Sequence, residues 1–323
     1  MQINLLRLMD EKACYELLRE IRWTDGLQCP HCQHMEISKN GMDEHHCYRQ
    51  RYKCKNCNRR FDDLTNTIFS GSSKELKTWL ICMYLMGLNI SNSQIAKELE
   101  ISEPTAQLMT EKLRAGIVKK KPTIELTDVV EIDEVYVVCG HKGQPEKVKQ
   151  AGRSARRRRL KGARGRGTLA NEKPPILGLV QRGGALVMRL LPNVKQVTIK
   201  PIIEQYVRPD TLINTDEYSI YNRLKEWGYS HKTVCHSSGE YARDEDGDGF
   251  HEVHVNTQEG IWSLLRSWLR PHRGISQEKM PIYVGFFEFV FNIRKRGKAL
   301  LEDLFLTILK PDIRIIEDIL PSP

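Results

Sequence analysis

The sequence predicts a mixed α/β layer fold, its sheet flanked by helices, preceded by a zinc ribbon and a helix-turn-helix. Three observations predict it. Two C-x-x-C pairs stand near the start, Cys29–Cys32 and Cys54–Cys57. An apolar helical run is then followed by two short helical patterns joined by a tight turn. Beyond residue 127, β-branched runs alternate with helical periodicity, the pattern of a layered α/β domain.

A chain of 323 residues has room for two or three domains. The N-terminus, MQINLLRLMDEKACYELLREIRW, spaces its leucines as a helix does, so residues 1–25 read as an N-terminal helix rather than a signal peptide. No apolar run approaches the roughly 18–20 residues that span a bilayer. The expectation is a cytoplasmic, nucleoid-associated protein with no membrane partner, whose nine cysteines are free or metal-bound.

The net charge is +9, and the excess is concentrated. From Lys147 to Arg166 there are ten Lys or Arg and no Asp or Glu. Such a run follows phosphates by releasing counterions, with little sequence preference, which points to nucleic acid. A nuclear-localisation signal is the alternative.

Residues 26–70 hold the paired knuckles, Cys29-Pro30-His31-Cys32 and Cys54-Lys55-Asn56-Cys57, with 21 residues between them. Four thiolates suit tetrahedral Zn²⁺ and leave no open position, so the ion is expected to be structural. Cys47, His45 and His46 lie between the knuckles with less suitable spacing. Residues 71–120 read as the helix-turn-helix, with Ser93 capping SQIAKELE, a turn at Ile101-Ser102, and a second helix from Glu103 to about Arg114. A three-helix bundle for protein contacts would show the same pattern.

The α/β region, 125–310, opens with the strand-like DVVEIDEVYVV (128–138), which carries Asp133 in its middle. A basic insert spans 145–167. PPILGLVQRGGALVMRLLP then reads as a hairpin turning at Gly183-Gly184, followed by a helix near 196–206 and the strand TLINTD ending in Asp216. Tyr218–Trp227 reads as a helix stopped by Gly228, and 231–237 as another strand. Carboxylates inside buried strands are costly unless paired or bound to a cation, so Asp133 and Asp216 both ask for one. Glu134 alternates to the other strand face.

VHVNTQEGIWSLLR (253–266) runs into a helix whose wheel places Ser263, Arg266 and Arg270 within about 40° of Glu259. Ile261, Leu264, Leu265, Trp268 and Leu269 gather opposite, as a back to be buried. Alone, that stripe describes a solvated face. Two further amphipathic helices, 283–296 and 299–309, precede a tail at 311–323.

Together, the ribbon, the helix pair, Ile-Asp-Glu, Thr-Asp and His-Val-Asn-Thr-x-Glu-Gly-x-Trp resemble bacterial insertion-sequence DDE transposases of the ISXO2-like type, over about residues 10–300. The resemblance implies a ribonuclease-H-like catalytic domain in which Asp133, Asp216 and Glu259 hold two Mg²⁺ (or Mn²⁺), with Asn256 a rival third ligand. It implies that Arg266 holds a phosphate of the DNA end, and Arg270, Arg156, Arg157, Arg158, Arg159 and Lys161 are further DNA-binding candidates. The implied activity is binding of the element's terminal inverted repeats, Mg²⁺-dependent phosphodiester cleavage and strand transfer, by a homo-oligomer on double-stranded DNA. The alternatives are a non-catalytic DNA-binding regulator, a domesticated transposase using ribbon and helix-turn-helix alone, and a structure-selective nuclease. One departure from the family lies between Asp216 and Glu259, where ARDEDGDGFHE lengthens the interval. Asp244, Asp246 and Asp248 there resemble the start of a calcium loop, but its twelfth position is Val255, so 244–252 reads as an acidic solvent loop.

Overall fold

In a computed structural model of the chain, the described residues are 4–141, 144–150, 166–170, 172–249 and 251–309. They divide into two compact units, one of residues up to 121 and from 293 on, the other of residues 122–292.

In the first unit, α1 (Glu11–Arg22) starts where the Asp10 carboxylate accepts from Lys12 N at 2.9 Å, and it buries Cys14, Tyr15, Leu17 and Leu18. Strands β1 (Ile37–Met42), β2 (Gln50–Cys54) and β3 (Arg60–Asp62) form an antiparallel sheet in that order. Asp63, fully buried, ties helix to sheet: its carboxylate accepts from Arg19 Nη2 at 2.7 Å, Gln50 N at 2.6 Å and Tyr52 OH at 3.0 Å. Helices α2 (Leu76–Gly87), α3 (Asn92–Glu98) and α4 (Glu103–Lys120) follow. The cap of α3 is Ser91, which accepts from Gln94 N, rather than Ser93, whose hydroxyl instead donates to Glu103 Oε1 at 2.6 Å. A hydroxyl caps only from outside the helix, and Ser93 already lies inside it. α4 runs past Arg114 to Lys120 because its buried row continues through Leu113, Arg114 and Ile117.

The second unit is built on a five-stranded sheet. Strand β4 (Val129–Tyr136) is followed by the short α5 (Pro145–Gln150), the hairpin β5 (Pro175–Gln181) and β6 (Leu186–Leu190), and α6 (Gln196–Tyr206). Then come β7 (Leu212–Asp216), β8 (Ser230–Val234), the two-residue strands β9 (Ala242–Arg243) and β10 (Val253–His254), α7 (Asn256–Leu269) and α8 (Met280–Ile293). The sheet order is β6-β5-β4-β7-β8, antiparallel from β6 to β4 and parallel from β4 to β8. This mixed sheet with helices fits the ribonuclease-H-like fold. Val130, Ile132, Leu177 and Leu179 face a core shared with Ile199 and Ile203 of α6. Val135, Ile176 and Val180 face the opposite core, with Ile261, Trp262, Leu265, Tyr283 and Phe287 of α7 and α8.

Four further expectations change. Tyr218–Trp227 is not an α-helix but two 3₁₀ turns, Ser219–Tyr221 and Lys225–Trp227, closed by Gly228 at φ 90°. Leu264 is exposed, and the buried back of α7 is Gln258, Ile261, Trp262 and Leu265, because the helix meets the sheet on the side of Trp262. The second unit ends at Asn292 rather than near 310. α9 (Gly297–Leu309) belongs with the first unit, where Leu300 and Leu304 meet Gly87 of α2 and Phe305 lies edge-on to Phe69. The first strand also stops at Tyr136, short of 138. Most of the basic insert and the tail at 311–323 lie outside the described residues. No helix of the described residues is long and apolar enough to cross a membrane.

Asp63→Ala removes the acceptor that joins α1 to the ribbon sheet and leaves buried donors unpaired. A loss on the order of 3 kcal/mol is expected in denaturant unfolding.

Candidate active site and metal centre

In the ribbon, the knuckles bring Cys29 Sγ to 3.7 Å from Cys57 Sγ and Cys32 Sγ to 3.6 Å from Cys54 Sγ. All four sulfur atoms lie within 4.8 Å of one another. A tetrahedron with arms of about 2.3 Å has edges of roughly 3.8 Å, so the four sulfurs fit Zn²⁺. Cys47, His45 and His46 are outside that cluster. Without a cation the thiols are ill-matched: burial pushes Cys29 up to about 12, while the His34 amide draws Cys32 down to about 6. A bound Zn²⁺ would hold all four as thiolates.

In the second unit, β4 carries Glu131, Asp133 and Glu134. Asp133 shares its sheet face with Val135 and Glu131, the α7 side. Glu134 points to the other face, where Tyr221 OH donates to its Oε1 at 2.6 Å. The parallel register pairs Glu131 with Asn214; two residues further along the same alignment, Asp133 is level with Asp216 at the end of β7. Opposite Asp133 on its other side stands Gly178 of β5. A Cβ there would collide with the Gln258 amide and the Trp262 ring, so only glycine lets α7 lie this close to the sheet. The closeness allows Trp262 Nε1 to donate to Asp133 Oδ2 at 2.8 Å.

Asp133 is held up at about 6, first by burial and then by the charges of Asp216 and Glu259, against the Trp262 hydrogen bond. That dependence brings the three sequence-predicted carboxylates into one electrostatic neighbourhood. Their oxygens are not all within 4.8 Å of one another. Glu259 is exposed on α7, with His236 Nδ1 4.0 Å from its Oε1. Asn256, the rival ligand, occupies the first position of α7 and is exposed. Hard carboxylate oxygen donors suit a divalent cation such as Mg²⁺ or Mn²⁺. Arg266 and Arg270 are exposed, Arg266 two turns along from Glu259 and Arg270 in the 3₁₀ turn after α7. Arg156, Arg157, Arg158, Arg159 and Lys161 lie outside the described residues.

Sequence reasoning missed Trp262 as a partner of Asp133, Gly178, and the role of Glu131. It also missed Arg166, whose guanidinium stacks over Tyr218 at 3.4 Å, two residues from Asp216. The signal for Gly178 was a glycine inside a strand pattern. In the acidic insert, Asp244, Asp246 and Glu252 have ligand atoms within 4.8 Å of one another, but both Asp244 oxygens already accept from the amides of Gly247 and Gly249.

A four-cysteine ribbon followed in the chain by a mixed sheet that fits the ribonuclease-H-like fold defines the class. Residues 125–292 match the ISXO2-like transposase domain and residues 9–60 the transposase zinc-ribbon domain; the chain belongs to the ISXO2-like transposase family. It is 33% identical over 307 residues, 93% of this chain and 98% of the other, to a protein described as "Uncharacterized protein in transposable element ISH50" of Halobacterium salinarum. An "Uncharacterized transposase-like protein" of Haemophilus influenzae is 28% identical over 103 residues, 32% of this chain and 77% of the other. The solved Mos1 Strand Transfer Complex aligns at 12% identity over 68% of this chain and 74% of that one, with a TM-score of 0.21, too low to bear on fold or function.

Two outcomes are expected. The purified chain carries one tightly held zinc, and Cys54→Ser loses it together with protection of the ribbon amides, as measured by metal analysis and hydrogen exchange. Asp133→Asn raises the Tm of metal-free protein at pH 7. Folded Asp133 keeps its proton between its ordinary 3.8 and about 6 while the unfolded chain loses it, so wild-type stability falls as pH rises through that window. The advantage of the variant therefore grows from about pH 4 to above pH 6, by up to roughly 3 kcal/mol. Added Mn²⁺ should abolish it by stabilising only the wild type.

Proposed function

We propose that this transposase binds the terminal inverted repeats of its own element, cleaves a phosphodiester bond there, and joins the freed 3′-OH to target DNA. The single observation that carries the reading is a placement: the β4–β7 register sets Asp133 level with Asp216, and Trp262 ties α7, which bears Glu259, to Asp133. Asp133, Asp216 and Glu259 would hold Mg²⁺ or Mn²⁺. Two such ions supply activation of water or a 3′-OH and stabilisation of the leaving oxygen.

The remaining residues orient the DNA and the carboxylates. Trp262 keeps one oxygen of Asp133 engaged and leaves the other for the cation. Arg266, on the exposed face with Glu259, would grip a phosphate beside the scissile bond. Arg166, stacked on Tyr218, would lead the basic insert and its Arg156–Arg159 and Lys161 along the backbone near Asp216. The ribbon and the α3–turn–α4 pair would read and hold the end sequence, with α4 in the major groove. Joining two ends requires them to be held together, so the working form would be a homo-oligomer on DNA.

A supercoiled plasmid carrying the DNA that flanks the gene, incubated with protein in Mg²⁺ or in EDTA, tests this. Nicking at the repeat ends that needs Mg²⁺ and disappears in Asp216→Asn is the expected result. Tight binding of those ends with no cleavage in Mg²⁺ or Mn²⁺ would replace it with the DNA-binding regulator.

A further inference from the structure

We propose that Glu131 is a positioning residue for the catalytic helix: from the central strand it caps α7, and with Trp262 it fixes where Glu259 stands relative to Asp133. The inference rests on reading Asp133, Asp216 and Glu259 as the metal-binding set.

α7 has no side-chain cap of its own. The residue before it is Val255, which offers no acceptor to the unpaired amides of the first turn. Glu131, wholly buried on β4, takes that place. Its Oε2 accepts from Gln258 N at 3.0 Å, and its Oε1 accepts from Thr257 Oγ1 at 2.8 Å. A carboxylate at a helix N-terminus is favoured by the helix dipole as well.

The charge is balanced from the turn that follows β5. Arg182 Nε donates to Glu131 Oε1 at 2.7 Å, and the same guanidinium reaches the carbonyls of Glu252 and His254. Arg182 therefore pins β10, the segment that leads into α7. His254 Nδ1 lies 3.2 Å from Glu131 Oε1, but burial and the Arg182 charge hold His254 below its ordinary value. The cation of the knot is thus Arg182.

Position decides what the knot does. Glu131 and Asp133 lie two residues apart on one face of one strand, so their separation is set by the strand repeat. Glu131 fastens α7 at Gln258, and Asp133 fastens it at Trp262. Glu259 lies between these fastenings. A Ser or Asp at position 255 would cap the helix equally well, yet would tie it only to itself. A cap borrowed from β4 ties it to the strand that bears Asp133. Metal-binding groups need their spacing held within a few tenths of an ångström, and the clamp supplies that.

A buried ion pair that merely stabilises the unit is the competing role, and the structure contains its control. Glu288 of α8 is also buried and paired, with Arg189 Nη1 at 2.9 Å, and its carboxylate accepts from Met188 N of the edge strand β6. In the full-length protein, Glu131→Gln and Glu288→Gln are compared by Tm, by Mn²⁺ binding from the spin resonance of free Mn²⁺, and by hydrogen exchange. Both should lower Tm. Only Glu131→Gln should weaken Mn²⁺ binding, by about ten-fold or more, and speed exchange at Gln258–Ile261. Arg182→Lys, which keeps the charge but loses the fork, should give a smaller loss of the same kind should Glu131→Gln fail to fold. Unchanged Mn²⁺ affinity in Glu131→Gln or Arg182→Lys, or an equal loss in Glu288→Gln, would overturn the clamp. Wild type that takes up no Mn²⁺ would overturn the metal-site reading instead. Exchange at Gln258–Ile261 would then decide the clamp alone, with faster exchange in Glu131→Gln upholding it and unchanged exchange sinking it.

Discussion

The second unit is organised around the cost of placing carboxylates in the centre of a sheet. β4 has neighbours on both sides and carries Glu131, Asp133 and Glu134 within four residues. An ionised carboxylate there must find charge or hydrogen-bond compensation. Each finds a different answer. Glu131 receives Arg182 and the first turn of α7; Glu134 receives the Tyr221 hydroxyl on the opposite face and stays raised at about 7 by burial. Asp133 receives the Trp262 indole N–H and the Glu134 amide but faces two further negative charges, which leaves a deficit that a divalent cation would fill.

That arrangement depends on how closely α7 can approach. Gly178 opposite Asp133 makes the space, and Gln258 and Trp262 use it. The helix is consequently not a lid resting on a sheet by hydrophobic contact alone. Its apolar back supplies attraction, which is non-directional, while Glu131 and Asp133 supply direction. The ribbon solves the same problem of specification in another way. Its core is small, with Tyr52 and Phe61 stacked at 5.1 Å and Trp23 edge-on to both. Four thiols converging on one point and the Asp63 hub fix what so small a core cannot.

Much was legible in one dimension because it is local. C-x-x-C spacing marks a ribbon whatever surrounds it, and Gly183-Gly184 marks a hairpin turn that the structure closes between β5 and β6. The alternation that put Asp133 and Glu134 on opposite faces follows from strand geometry and held, as did the polar face of Glu259, Arg266 and Arg270. Periodicity failed where neighbouring segments decide. Tyr218–Trp227 has helical spacing, yet it becomes two short turns that bury Ile220, Tyr221 and Leu224 against the α6 side. The wheel of α7 could not tell that Trp262 rather than Leu264 would be buried, because that depends on which flank of the helix meets β5.

By itself, then, the sequence determined the order of ribbon, helices and α/β region, the four cysteines that converge in the ribbon and the acidic residues in question. These are statements about spacing and residue type. Tertiary structure decided what joins them. It set Asp133 level with Asp216 through a parallel strand pair, returned α9 to the first unit across the whole intervening chain, and made Glu131 the cap of a helix 125 residues further on. No local pattern encodes such pairings: a hydrogen bond between residues 127 positions apart exists only once the sheet has fixed where both ends lie.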